Sequence, residues 1–221
     1  MGYSQITIKY HKSLHNGNLK EVALVARKIP DVLEVDEQED LLDQFNLRYI
    51  TPHRNKTMIK LILNTGLRLS EMTHLKWRNI NLNSGQVKVV EGKGLKDRII
   101  YIDEELVEEM GVWKERQFET WGKTDYVFTT RNLTLLDGKS VRQMIKTYSN
   151  KAKIDKHITT HSLRHTFATD LLRENKNIRV VQRALGHADI STTQIYTHIV
   201  DDELELAMKA LNSNRRKRMN N

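Results

Sequence analysis

The sequence predicts a mainly α-helical fold carrying a small antiparallel three-stranded sheet, an α+β chain, and three observations carry that prediction. Apolar residues recur at helical spacing through most of the length, residues 79 to 102 switch to short β-favouring runs, and only 2 prolines occur in 221 residues. A chain of this length holds one sizeable core with a loosely attached flank. Its 38% hydrophobic and 29% charged residues describe an ordered protein. The absence of cysteine excludes disulfides, thiolate metal sites and cysteine nucleophiles, and suits a reducing interior. No apolar run approaches the roughly 20 residues of a membrane span. The start, "MGYSQITIKYHK", has no apolar signal core, so a cytoplasmic location is expected.

The elements follow in order. Residues 1–30 read as locally irregular, broken at "HNGNLK", with Pro30 as a boundary. "KIPDVLEVDEQEDLLDQF" reads as a linker running into an acidic-faced helix that carries Leu41, Leu42 and Phe45. Pro52 can start the next helix, where Met58, Leu61 and Ile62 recur at helical spacing and Gly66 suits a left-handed end. "SEMTHLKW" is a further helix, with Ser70 as its candidate cap, Leu69, Met72 and Leu75 inward, and Arg68 in the joint. "NINL", "QVKVV" and "RIIYI" make the sheet, joined by "NSG" and "EGKGLKD", which sets Lys93 at a hairpin tip. Helices resume at "EELVEEMGVWKERQF" and "KSVRQMIKTYSNKA", separated by an extended "YVFTT". In "TTHSLRHTFATDLLR", Leu163, Phe167 and Leu171 form a core stripe, and His161, Arg164, His165 and Ala168 line up beside it. "IRVVQRALG" follows Asn177, buries Ile178, Val181 and Leu185, and stops at Gly186 to deliver His187 at a turn. "STTQ" then fits a capping box of Ser191 and Gln194, which places Tyr196 in the first turns of a new helix.

Lys and Arg outnumber Asp and Glu by 36 to 28, a net charge of +8 that favours a polyanionic partner through counterion release. The residues that are neither core nor plain surface are Arg68, Lys93, His161, Arg164, His187 and Tyr196. This set holds no carboxylate, which disfavours a carboxylate-pair hydrolase and a magnesium nuclease. It suits a phosphodiester: two guanidiniums can grip non-bridging oxygens, and imidazoles can add hydrogen bonds as charge builds on phosphorus. A tyrosine near pKa 10 can attack once cationic neighbours and a base, such as histidine, help remove its proton. A lysine on a flexible hairpin can protonate the departing alkoxide. Taken singly, each residue has an ordinary reading: a helix-end ion pair for Arg68, a solvated turn for Lys93, a helix cap for His187, a core-edge aromatic for Tyr196. A zinc site at His161 and His165 would need Glu where Ser162 stands. Six such coincidences in one order favour catalysis.

"TGLRLSE", "GKGLKDR", "HSLRH", "LGH" and "TTQIYTH" occur in that order, and together they closely resemble the catalytic domain of tyrosine recombinases, the phage integrase and Xer-like group. The resemblance covers roughly residues 32–211 and implies that family's catalytic-domain fold. It makes Arg68 and Arg164 the phosphate-binding arginines, Lys93 the general acid, His161 the proton-handling histidine, and His187 the histidine that supports the transition state. Tyr196 becomes the nucleophile of a 3′-phosphotyrosyl bond, and Glu71 and His165 take supporting roles in holding the site. No metal and no nucleotide cofactor are implied. The expected function is site-specific DNA recombination, by integration, excision or resolution. The rivals are a type IB topoisomerase-like relaxing enzyme and a non-catalytic DNA-binding regulator. Expected partners are double-stranded DNA and three further copies of the chain in a tetramer at synapsis, with a monomer when free; directionality or accessory proteins are further candidates. Leu204, Met208 and Leu211 mark 200–211 as a candidate trans-packing helix, able equally to fold back in cis, and 212–221 is a basic tail. Family members usually carry a separate helical domain that clamps DNA. Residues 1–31 are too short for one and are expected to be a segment and linker representing its remnant or a minimal form.

Overall fold

Short polar side chains start four of the described α-helices of this protein, and left-handed glycines end two of them. The computed structural model describes residues 31–90 and 97–186, together with the backbone alone of 10–15 and 18–23. The chain divides into two units, residues 1–30 and 31–221. In the first, β1 (Tyr10–His15) pairs antiparallel with β2 (Asn18–Ala23), in a register that sets His15 opposite Asn18. Residues 10–15 and 18–23 are therefore paired strands, where the sequence suggested irregular structure. The sequence between the two strands is Asn-Gly, a dipeptide that two-residue hairpin connections favour.

The second unit holds seven helices among its described residues: α1 (Val35–Asp43), α2 (Ile50–Thr65), α3 (Leu69–Thr73), α4 (Glu104–Thr120), α5 (Gly138–Lys151), α6 (Thr160–Asn175) and α7 (Ile178–Leu185). Asp103, Asp137, Thr159 and Asn177 cap α4, α5, α6 and α7, each side chain accepting backbone N–H bonds that a first turn cannot satisfy internally. The expected cap at Ser70 is not observed. Arg68 is the N-cap residue of α3, and the carboxylate of Glu71 reaches back to its N–H at 2.7 Å. A glutamate in the third helical position can fold back this way, and here it decides the start.

Strands β3 (Ile80–Asn81), β4 (Gln86–Val89) and β5 (Arg98–Tyr101) form the antiparallel sheet in sequential order, with Val87 opposite Ile100 and Val89 opposite Arg98. Side chains alternate across a strand, so Val87, Val89 and Ile100 face the core while Ile99 and Tyr101 face out. The core runs from Leu33 and Leu41 through Met58, Leu61 and Ile62 of α2 to Leu106, Met110 and Trp113 of α4. A second cluster of Phe167, Ala168, Leu172, Val181 and Leu185 joins α6 to α7. Among the described residues, no helix is long and apolar enough to cross a membrane.

Helix α6 is buried on more sides than one apolar stripe requires. Besides Leu163 and Phe167, its Thr160, Ser162, Arg164, Thr166 and Thr169 are all buried. The reason is tertiary: α6 packs on α2 and on α7, and the incoming chain lies on it as well. The Leu33 N–H donates to Thr166 Oγ1 at 2.9 Å, and Gln38 bridges the Leu33 carbonyl and Asp170. Arg164, expected at the border of the core, is 6% exposed and belongs to it.

Candidate active site

The site is assembled where three helix ends meet. Helix α2 ends at Gly66, whose φ of 60° is the left-handed conformation that a Cβ disfavours. Two residues later Arg68 starts α3. Helix α7 also ends on a left-handed glycine, Gly186 at φ 65°. The last carbonyls of a helix lack internal partners and carry its negative dipole end, so guanidinium groups are favoured there.

Three arginines from three elements take three consecutive carbonyls of this end. Arg98 Nε, from β5, donates to the Ala184 carbonyl at 2.9 Å. Arg164 Nη2, from α6, donates to that of Leu185 at 2.7 Å. Arg68 Nη2 makes a longer 3.4 Å contact with that of Gly186. Arg164 Nη1 also donates to the Gly66 carbonyl, which ties the end of α2 to the end of α7.

Glu71 holds two of these arginines at once. Its Oε1 accepts from Arg68 Nη1 at 2.7 Å and from Arg98 Nη1 at 2.9 Å, while Oε2 accepts from Arg98 Nη2 at 2.8 Å and from the Arg68 N–H. The side chains of Glu71 and Arg98 are only 8% and 7% exposed, against 34% for Arg68. Burial by itself would raise the Glu71 carboxyl. The hydrogen bonds from Arg98 and from the Arg68 backbone outweigh it and hold the group at about 2. The supporting position expected of Glu71 is thus an ion-pair clamp.

His161 lies exposed in the first turn of α6, and His165 lies one turn further, half-buried. Burial, followed by the positive surroundings of His161 and Arg164, lowers His165 to about 4, so it is uncharged at neutral pH. A histidine whose folded value lies below its unfolded value of 6.5 stabilises the fold above that value. The contribution is lost as pH falls from 6.5 towards 4, because the unfolded chain then binds the proton more readily. His165→Gln is accordingly expected to flatten the fall in melting temperature between pH 6.5 and 4; an unchanged slope would show that another group carries it.

Of the eight residues singled out from the sequence, Arg68, Glu71 and Arg164 converge, and His161 and His165 lie on the same helix as Arg164. Lys93, His187 and Tyr196 lie outside the described residues, as do the box at Ser191 and Gln194, the stripe of Leu204, Met208 and Leu211, and the tail. One residue of the cluster escaped the sequence reading. Arg98 stands inside the quoted "GKGLKDR" and occupies an inward-facing strand position where a Val or Ile is expected. A charged residue in the apolar phase of a strand was the available signal.

The model of the phage integrase family matches residues 31–203. The chain belongs to the phage integrase family. The tyrosine recombinase XerD of Staphylococcus aureus strain Mu50 is 40% identical over 181 residues, which make up 80% of this chain and 61% of that protein. The XerD of Staphylococcus saprophyticus matches to the same extent. This phage integrase family member therefore spans about three fifths of the length of the curated relatives it matches. Among solved structures, XerA recombinase superposes with a TM-score of 0.71 at 34% identity, over 82% of this chain and 65% of that one. XerH bound to its palindromic difH substrate in a post-cleavage complex gives 0.73 at 29% identity, over 86% and 56%. The catalytic domain of bacteriophage HP1 integrase, at 23% identity, shares the fold with a TM-score of 0.58 and is covered over 94% of its length. The helices and the three-stranded sheet are those of a tyrosine recombinase catalytic domain, as expected.

Proposed function

We propose that this chain cuts and rejoins double-stranded DNA at specific sites through a covalent tyrosyl intermediate, with residues 32–211 as its catalytic domain. The observation that carries the reading is the convergence of Arg68 and Arg164 on the last carbonyls of α7, directly before His187. Two guanidiniums from distant parts of the chain, fixed beside each other by buried partners, form a rigid cationic pair suited to the non-bridging oxygens of one phosphate. Preorganised charge of this kind stabilises the extra negative charge of a pentacoordinate phosphorus.

In this reading the Tyr196 oxygen attacks phosphorus and forms a P–O bond to the 3′ side of the break, while the bond from phosphorus to the 5′ oxygen breaks. Lys93 gives its proton to that oxygen, and His161 takes the proton of the phenol. His187 donates a hydrogen bond to the phosphate as its charge builds. Attack by a 5′ hydroxyl of another strand reverses each step and exchanges one strand, and a second such exchange completes recombination. The relatives named above are recombinases, and the XerH structure holds its DNA substrate. The proposal extends to a tetramer at synapsis, a cytoplasmic location, residues 1–31 as an N-terminal segment and linker, and 200–211 as a helix that packs against a neighbour or folds back in cis.

The test uses nicked duplexes of randomised sequence, in which loss of the short cleaved fragment traps the intermediate. The wild-type chain is expected to form a protein–DNA adduct, and sequencing its DNA ends gives the site and polarity. Tyr196→Phe is expected to bind the same DNA without forming any adduct. An adduct with that variant refutes the nucleophile, and no adduct with wild type refutes the activity.

A further inference from the structure

We propose that Arg98 is a positioning residue for strand cleavage, keeping Glu71 from neutralising Arg68 and fastening the strand that follows Lys93 to the helix end that precedes His187. The inference rests on the activity proposed above and deepens it. It begins from an oddity of placement. Arg98 sits opposite Val89 on the core-facing side of the sheet, with Val87 and Ile100 as its inward neighbours. Apolar residues there would hold the sheet equally well, because a buried ion pair gains little over a hydrophobic replacement once both charges have left water. Stability alone therefore does not account for this residue.

Charge does account for it. Glu71 and Arg68 by themselves would be a one-to-one ion pair, and the arginine that is to hold a phosphate would face a competing anion 2.7 Å away. Arg98 adds a second cation to the same carboxylate through both of its terminal nitrogens. The three groups together then carry one surplus positive charge, and the more exposed of the two arginines is Arg68. Glu71 consequently orients Arg68 without cancelling it.

The third nitrogen of Arg98 makes the arrangement mechanical as well. Nε holds the Ala184 carbonyl, so one guanidinium joins β5 to α7. Arg98 follows Lys93 by five residues, and Ala184 precedes His187 by three. A planar group with five donors in a fixed fork can make all of these bonds at once, which a lysine cannot.

The experiment compares rates of adduct formation on the nicked duplex recovered with the wild-type chain, made once with an ordinary scissile phosphate and once with a neutral methylphosphonate at that position. Arg98→Met is expected to slow the phosphodiester reaction roughly 10- to 100-fold, and to slow the methylphosphonate reaction less, since a neutral centre asks less of Arg68. The double variant Arg98→Met with Glu71→Gln removes the competing anion and is expected to react faster than Arg98→Met alone. Arg98→Lys keeps the charge and loses the fork, and is expected to fall between wild type and Arg98→Met. Should Arg98→Met fail to fold, as judged by circular dichroism, Arg98→Lys and the double variant carry the same two-substrate comparison. Wild-type rates in the variants, or equal slowing on both substrates with no gain in the double variant, overturn the role of Arg98. A wild-type chain that forms no adduct overturns the activity itself and this inference with it.

Discussion

Glu71→Gln is expected to destabilise the protein by roughly 3–5 kcal/mol, the usual cost of removing one member of a buried ion pair. The substitution hardly changes volume, so the loss is electrostatic: Arg98, 7% exposed, would stay in the interior without its carboxylate. Against a total stability of about 5–15 kcal/mol for a domain, that leaves little margin. Urea titration at neutral pH measures it directly. The wild-type carboxyl titrates at about 2 when folded and near 4.5 when unfolded. Because the folded value is depressed, the contribution is present above 4.5 and is lost as pH falls from there towards 2. The gap in stability between wild type and Glu71→Gln should therefore narrow with acid across that range. A gap that is small at neutral pH would mean that the clamp contributes only orientation.

Gly66→Ala should be costly for a different reason. At φ +60°, a Cβ built on Gly66 would lie 2.4 Å from Phe167 Cδ1 and 3.0 Å from Leu185 Cδ2. The left-handed conformation costs a non-glycine residue roughly 1–2 kcal/mol, and overpacking a filled core adds about 1–3 kcal/mol. The displaced groups belong to α6 and α7, and the carbonyl of Gly66 is itself bonded to Arg164. A fall in melting temperature should thus come with slower adduct formation. Gly111→Ala is the control: it lies inside α4, where an added Cβ meets nothing within 4 Å, and alanine is the better helix former by roughly 1 kcal/mol. Opposite signs for the two substitutions are the expected result, and a neutral Gly66→Ala would show that α6 and α7 can give way.

Local chemistry was legible wherever one signal acted on its own stretch of chain. The helical recurrence of Met58, Leu61 and Ile62, the glycine stops at 66 and 186, the helix start after Asn177 and the three short strands all appear as their residues dictate. Ser70 is a good cap in isolation, but Glu71 folds back on Arg68 and sets the start of α3. The pairing of residues 10–15 with 18–23 is not evident from either stretch alone, because neither shows a clean alternation of apolar and polar residues.

Sequence by itself determined the family, through five ordered motifs, and singled out Arg68 and Arg164, which the fold brings to one helix end. Only the tertiary structure decided that Arg164 is buried, that α6 is covered on several sides, and that Arg98 shares Glu71 with Arg68. The physical reason is range. Periodicity and capping act within a turn or two of the chain, but a carboxylate chooses its partners by proximity in space, and residues 71, 98 and 184 become neighbours only once α3, β5 and α7 have packed.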